Sequence, residues 1–220
     1  GSKIHSQNGV ADNIAEDEVD AFKQIRQFLD FFPQNIYEIP ERKSSKDPIN
    51  REQEELLSII PKERKKSYEM RDIINYIFDE GSFFEITKFF GRGIITGFAR
   101  INGYSVGILA NDSNFYAGSM SADGAKKTAR FVRTCNTFNI PIVSLVDEPG
   151  FLIGPEAESQ ATILYGTEAV LAVTESTVPW STVMIRKSFG VAAAAHYGPD
   201  GYVLAWPSAE SGPLPLEGGV

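Results

Sequence analysis

A single cysteine, Cys135, stands in a chain of 220 residues, so an internal disulfide is excluded and a reducing compartment suits the sequence. Histidine is nearly as scarce. His5 and His196 are the only two and lie far apart in the chain, so no histidine cluster suggests zinc. Basic residues are also short, with 21 Lys and Arg against 29 Asp and Glu, a formal charge of −8. That balance argues against nucleic acid or an anionic membrane surface as the main partner. No apolar run reaches membrane-spanning length, and no secretory signal pattern opens the sequence. A Walker-type phosphate loop is missing, and Gly91-Arg92-Gly93 is too short for a dinucleotide fingerprint. Ser188 lacks a nucleophile-elbow pattern, and nothing pairs a nucleophile with a base. Any catalysis must therefore rest on backbone donors and a cofactor.

What is present centres on residues 181–196, Ser-Thr-Val-Met-Ile-Arg-Lys-Ser-Phe-Gly-Val-Ala-Ala-Ala-Ala-His. Thr182–Ile185 reads as a buried strand, Gly190 breaks it, and the alanines that follow predict a helix. A strand that turns at glycine into a helix leaves backbone N–H groups unpaired. With the helix dipole behind them, those donors can cradle an oxygen that becomes negative. The alternative is a strand–helix joint whose small residues simply allow close packing.

The length and a 42% apolar fraction fit one globular core, or one domain plus an appendage. Val19, Phe22, Leu29 and Phe32 predict an early helix, with Glu16, Asp17 and Glu18 at its positive end and Pro33 as its stop. Residues 34–67 shift to charge and proline and read as a surface linker. Within them Arg64-Lys65-Lys66 reads as a solvated patch or a phosphate contact. The apolar stripe Met70, Ile73, Ile74, Ile77 and Phe78 predicts a helix with Gly81 as its C-cap. Ile94–Ile101 and Tyr104–Ala110 predict strands joined by a hairpin at Asn102-Gly103. Thereafter come a helix at Ala125–Phe138 with Ala125, Ala129, Val132 and Cys135 on one face, and a strand at Ile142–Val146. A helix at Glu158–Glu175 follows, then the central strand, its short helix, and a strand at Tyr202–Trp206. Alternating strands and helices predict an α/β fold with a largely parallel sheet. The expected division is 1–67, helix and linker, and 68–220, the main domain. Pro213–Val220 stops without a closing helix, which points to a piece of a longer polypeptide.

Two further stretches look specialised. Asp147–Gly154 follows a buried strand, where loops bind ligands in open α/β sheets, although its glycines and proline also suit plain turn chemistry. Ala205-Trp206-Pro207-Ser208-Ala209-Glu210, with the prolines and glycines of 213–220 after it, fixes a backbone path and places Trp206 toward the core.

These stretches together resemble the biotin-dependent acyl-CoA carboxyltransferases. Asp147–Gly154 is similar to the family's D-x-P-G-F-x-x-G loop. Arg186–Ala192 resembles its R-K-x-[YF]-G-x-A turn, and Ala205–Glu210 its A-W-P-[ST]-A-E segment. Gly97–Arg100, Ala129–Arg133 and Phe138–Pro141 are further landmarks in the same order, and the resemblance spans the chain.

The resemblance implies a crotonase-like (ClpP/crotonase) α/β spiral of ββα units with an N-terminal helical extension. It further implies that this chain is the C-terminal, biotin-binding half of the enzyme, inactive when isolated. Biotin would arrive as carboxybiotin on a carrier protein or domain, and its carboxyl group would pass to the α carbon of an acyl-CoA substrate. Gly190, Val191 and Ala192 carry over as the turn whose amides stabilise the biotin oxyanion. Pro149, Gly150, Phe151, Leu152 and Gly154 carry over to the loop beside biotin. Ala193 and Ala194 fall near the expected acyl pocket, where they replace larger residues, and Val191 stands where many members have glycine. The implied partners are the N-terminal carboxyltransferase domain, biotin carboxyl carrier and biotin carboxylase subunits, and further copies in a homo-oligomer. The implied location is cytoplasmic, or the mitochondrial matrix in a eukaryote. Alternatives are a biotin-dependent decarboxylase subunit and a non-catalytic assembly domain.

Overall fold

The computed structural model describes residues 1–213, so the expectation for residues 214–220 lies outside the described residues. Seven strands form one sheet in the order β1-β2-β3-β4-β5-β6, with β7 also paired to β5. Strands β2 (Ile94–Ile101) and β3 (Tyr104–Asn111) are the antiparallel hairpin the sequence predicts, closed by the pair Ile101 and Tyr104. Asn102 and Gly103 both take positive φ, 49° and 81°, as the tight mirror-image turn requires. The short strand β1 (Phe84–Ile86) adds to the β2 edge. From β3 onward the pairing is parallel, through β4 (Ile142–Glu148) and β5 (Trp180–Phe189) to β6 (Tyr202–Ala205) and β7 (Glu210–Gly212).

Both faces of β2, β3 and β4 are covered, so these strands bury apolar residues on both sides, whereas β6 is exposed along its length. In β2, Ile94 and Phe98 join one core while Ile95 and Ala99 join the other. The first core is closed by α4 (Ala122–Thr137) and α6 (Thr162–Thr174), and the predicted face Ala125, Ala129, Val132 and Cys135 is buried in it. The second core is closed by α3 (Met70–Ile77), whose Met70, Ile73 and Ile74 are buried as their spacing predicts. Leu56, Ile59 and Ile60, from the charged and proline-rich stretch, pack against that second core. Trp206 is part-buried there rather than fully enclosed.

Several local expectations are corrected. Besides the opening turn α1 (Ser2–Gln7), the early helix is α2 (Glu18–Leu29), capped by the Asp17 carboxylate on the Asp20 N–H at 2.8 Å. Its predicted apolar stripe does not face the core: Val19, Phe22 and Leu29 are exposed. Of the predicted stripe only Phe32 packs inward, joined by Phe28 and Phe31, and the three rings lie 5.0–5.8 Å from Phe98. Aromatic area at the C-terminal end outweighs the periodic stripe. Gly81 is not the cap of α3, whose C-cap is Phe78; it serves the following turn with φ 66°. The helix predicted over 158–175 is two, α5 (Pro155–Ser159) and α6, because Ala161 sits in the left-handed region at φ 57°. The alanine run forms a 3₁₀ turn, Val191–His196, rather than an α-helix. The end of that turn is held where the His196 carbonyl accepts from Trp180 Nε1 and Thr182 Oγ1 at 2.9 and 2.8 Å.

Candidate active site

The two suspected segments leave adjacent parallel strands on the same edge of the sheet. Glu148, the last residue of β4, stands opposite Ser188 near the end of β5. The loop 149–154 and the turn at Gly190 therefore emerge side by side, at the carboxyl ends where open sheets bind ligands. Met120, after β3, joins this edge: its N–H donates to the Gly150 carbonyl at 3.1 Å and its carbonyl accepts from Leu152 N–H at 2.9 Å.

Gly150 and Gly154 hold φ 131° and 112°, conformations that only glycine adopts freely. A Cβ on either would meet nothing within 4 Å, so the loop presents an open face. Gly154 also precedes α5, with Pro155 at its first position. Phe151 is an anchor: its ring lies against Gly166 of α6, where a Cβ would come within 2.3 Å of it. Leu152 is part-buried.

Gly190 turns at φ 66°, its N–H held by the Gly212 carbonyl at 3.1 Å. Val191 is 71% exposed, and among the described residues its amide has no acceptor. Ala192 is fully buried in the first core and Ala193 is nearly so, whereas Ala194 is exposed. The surface thus carries Gly190 and Val191 of the predicted turn, while Ala192 packs beneath them.

Behind this edge lies a polar network that the sequence did not disclose. The fully buried Asp147 carboxylate accepts from Arg186 Nη2 at 2.9 Å, from Tyr68 Oη at 3.0 Å and from Lys187 N–H at 3.0 Å. The Arg186 guanidinium lies over the Tyr68 ring at 4.8 Å. Burial, and then the Asp147 charge, push the Tyr68 phenol far above its ordinary range, so it stays a donor. Glu148 is buried beside it and accepts from Asn111 Nδ2 at 3.0 Å and Gly150 N–H at 3.0 Å. Ser188 Oγ is hydrogen-bonded to Tyr197 Oη at 2.7 Å, a packing role rather than a nucleophilic one. Tyr68 ends the charged stretch far from β4 in sequence, and no local pattern marks it. The Arg186 that follows a buried strand was the one available signal.

A cavity of about 750 Å³ is lined by Lys62, Lys65, Lys187, Phe189, Pro207 and Ser208 among others. None of the residues expected beside biotin lines it. Arg64 at its rim pairs with Glu210 at 2.7 Å, so this part of the basic run is neutralised within the chain. Among the described residues no group of three or more metal-ligating side chains is found, and no helix is long and apolar enough to cross a membrane.

This fold is that of transcarboxylase 12S, whose crystal structure with hydrolysed methylmalonyl-coenzyme A superposes at TM-score 0.95 with 37% identity, over 99% of this chain and 43% of that one. A single-chain long-chain acyl-CoA carboxylase matches at TM-score 0.86 and 32% identity, over 97% of this chain and 22% of that one. The crotonase-like class expected from the sequence is thereby shown. The chain belongs to the carboxyl transferase domain family, whose model matches residues 1–220. It is 40% identical to the carboxyltransferase subunit of propionyl-CoA carboxylase from Haloferax mediterranei, covering 100% of this chain and 43% of that protein. It is also 40% identical to the methylmalonyl-CoA decarboxylase subunit alpha of Veillonella parvula, over 96% of this chain and 42% of that protein. The chain thus spans less than half the length of the relatives it matches.

Proposed function

We propose that this chain forms the biotin-binding half of an acyl-CoA carboxyltransferase. The observation that carries the reading is the turn at Gly190, where Val191 is an exposed residue whose amide has no acceptor among the described residues, beside an open loop built on Gly150 and Gly154. A flat, uncharged ring with one oxygen that gains negative charge fits such a site, because a backbone N–H can stabilise that oxygen without an acid. Biotin, when bound, supplies the carboxyl group and the base, which agrees with a site edge that shows no acid–base pair at its surface. Val191 N–H holds the oxygen, Pro149, Gly150 and Leu152 border the ring, Phe151 fixes the loop against α6, and Ala192 supports the turn from below. Ala194 faces outward toward the acyl group, with Ala193 behind it.

The acyl-CoA is held by the N-terminal carboxyltransferase domain, and biotin is brought by a carrier that a biotin carboxylase subunit charges. The complete site lies between copies of a homo-oligomer, in line with the hexamer described for transcarboxylase 12S. Decarboxylation is the second reading, favoured by the 40% identity to the Veillonella subunit. The test is transfer of labelled carboxyl from carboxylated carrier to a panel of acyl-CoA thioesters by the full-length protein with its subunits. Label on at least one thioester is expected. Absence of label on all of them, and of carbon dioxide release from their carboxylated forms, overturns the reading.

A further inference from the structure

Two fully buried ionisable side chains join the loop after β4 to the turn after β5. Glu148 ends β4 and His196 ends the turn, and both are 0% exposed. Three donors hold the Glu148 carboxylate, and the His196 ring faces it. Oε1 accepts from Gly150 N–H at 3.0 Å and from Met120 N–H at 3.3 Å. Oε2 accepts from Asn111 Nδ2 at 3.0 Å and lies 3.7 Å from His196 Nε2. A carboxylate can accept from all three, whereas a carboxylic acid or an amide carries hydrogen on one side and accepts fully on the other alone. His196 is held from its other side, with Nδ1 2.8 Å from Ser144 Oγ. Its Nε2 has no hydrogen-bond partner among the described residues and faces Glu148.

We infer that Glu148 and His196 act as a positioning pair, which ties the Pro149–Gly154 loop to the Gly190–Val191 turn and sets the spacing of the two biotin-side segments. The inference rests on the assignment of those segments to biotin. The same contact reaches both: Glu148 grips the loop through Gly150, and His196 ends the turn that carries Val191. The charged neighbours are Asp147, bound to Arg186, and Lys187, whose ammonium senses the Glu148 charge. Burial raises the Glu148 pKa, and His196, the Gly150 N–H and Asn111 oppose that rise. As pH falls, protonation of Glu148 weakens Oε1 as an acceptor for Gly150 N–H and leaves Met120 N–H chiefly to the Gly150 carbonyl, so the loop loosens on the acid side. Removing His196 raises the Glu148 pKa further, so loosening begins at higher pH.

The experiment is amide hydrogen exchange on the full-length protein, which needs no activity, followed by kinetics. In Glu148→Gln, protection at Gly150 should drop roughly tenfold, with a smaller drop at Met120, whose N–H also donates to the Gly150 carbonyl, while Val132 in α4 is unchanged. In His196→Met, acid loosening at the same two amides should move to higher pH, and KM for carboxylated carrier should rise with KM for acyl-CoA unmoved. Glu148→Asp keeps the charge but shortens the reach, and gives the same local loss where the amide variant does not fold. Unchanged protection at Gly150 and Met120, or an equal loss throughout α4, overturns the pair. If no carboxyl transfer is found, the biotin assignment fails, while the exchange data still decide whether Glu148 and His196 hold the segments.

Discussion

The Asp147 carboxylate on β4 accepts the backbone N–H of Lys187, from the neighbouring strand β5, at 3.0 Å. The reason lies in the register. Val146 pairs with Met184 but Glu148 pairs with Ser188, so β5 carries three residues where β4 carries one. Such a bulge removes backbone groups from the ladder and bends the strand. Asp147 takes up the freed N–H, and the same carboxylate binds the Arg186 side chain from the bulge. The end of β5 is thereby aimed, and Gly190 follows two residues beyond its last ladder pair with β4.

Removing the Asp147 charge should therefore be severe. Asp147→Asn leaves the Arg186 guanidinium buried without a counter-charge, at 7% side-chain exposure. A buried ion pair broken on one side costs about 3–5 kcal/mol. Denaturant unfolding should show that loss, and adding Arg186→Met should recover part of it. A single variant within 1 kcal/mol of wild type (about the spread of surface substitutions) would show that solvent reaches the pair.

Gly166 sets how closely the Pro149–Gly154 loop, proposed to border biotin, approaches α6. A Cβ there would lie 2.3 Å from the Phe151 ring, far inside contact distance. Gly166→Ala should displace the ring and destabilise by roughly 1–3 kcal/mol through overpacking. The displaced loop should also weaken use of carboxylated carrier more than use of acyl-CoA. Unfolding and steady-state kinetics on the same preparation check both effects, and unchanged behaviour in both would place Phe151 elsewhere.

The parts legible in the sequence were those encoded locally. Asn102-Gly103 announced its hairpin because both positions need positive φ, and α4 announced its buried face through helical spacing. The order of motifs carried the family. What stayed hidden was fixed by distant partners. The stripe on α2 misled because Phe28, Phe31 and Phe32 found Phe98, a residue on another element. The alanines after Gly190 favour a helix by propensity, yet Trp180 and Thr182 claim the carbonyl at the end of the turn. His196 stands far from the other histidine in the chain, and nothing in the sequence places it against Glu148. The Asp147 network likewise depends on Tyr68, 79 residues away in the chain.

The Val191 amide can be tested directly. Proline at position 191 removes its N–H, and the preceding Gly190, at ψ −166°, already has the extended ψ that a following proline prefers. Val191→Pro in the full-length enzyme should lower kcat by roughly 100- to 1,000-fold, the usual loss for one oxyanion donor. Val191→Gly keeps the N–H and should retain most activity. Ser188→Ala should also be mild in rate, since its hydroxyl only meets Tyr197. A folded Val191→Pro enzyme with near-normal turnover would refute the donor role.

Lys127 offers a prediction about pH. Its ammonium is buried under the hairpin entry and donates to the carbonyls of Thr87, Phe90 and Ile94 at 2.9, 3.0 and 2.6 Å. Burial lowers its pKa from 10.5 to about 7, although the nearby charges of Glu85 and Asp112 act to raise it. Between those two values the unfolded chain binds a proton that the folded chain has released. Stability due to this group therefore increases as pH rises through that window, by up to roughly 1.4 kcal/mol per pH unit. Lys127→Met deletes the titration and leaves three buried carbonyls without their donor, a loss on the order of 1–3 kcal/mol at pH 7. The gap between wild type and variant should then widen by about 2 kcal/mol from pH 7 to pH 9. Denaturant unfolding of both proteins across that range checks it. Parallel stability curves would mean that Lys127 keeps its proton throughout, with the three carbonyls compensating fully for its burial.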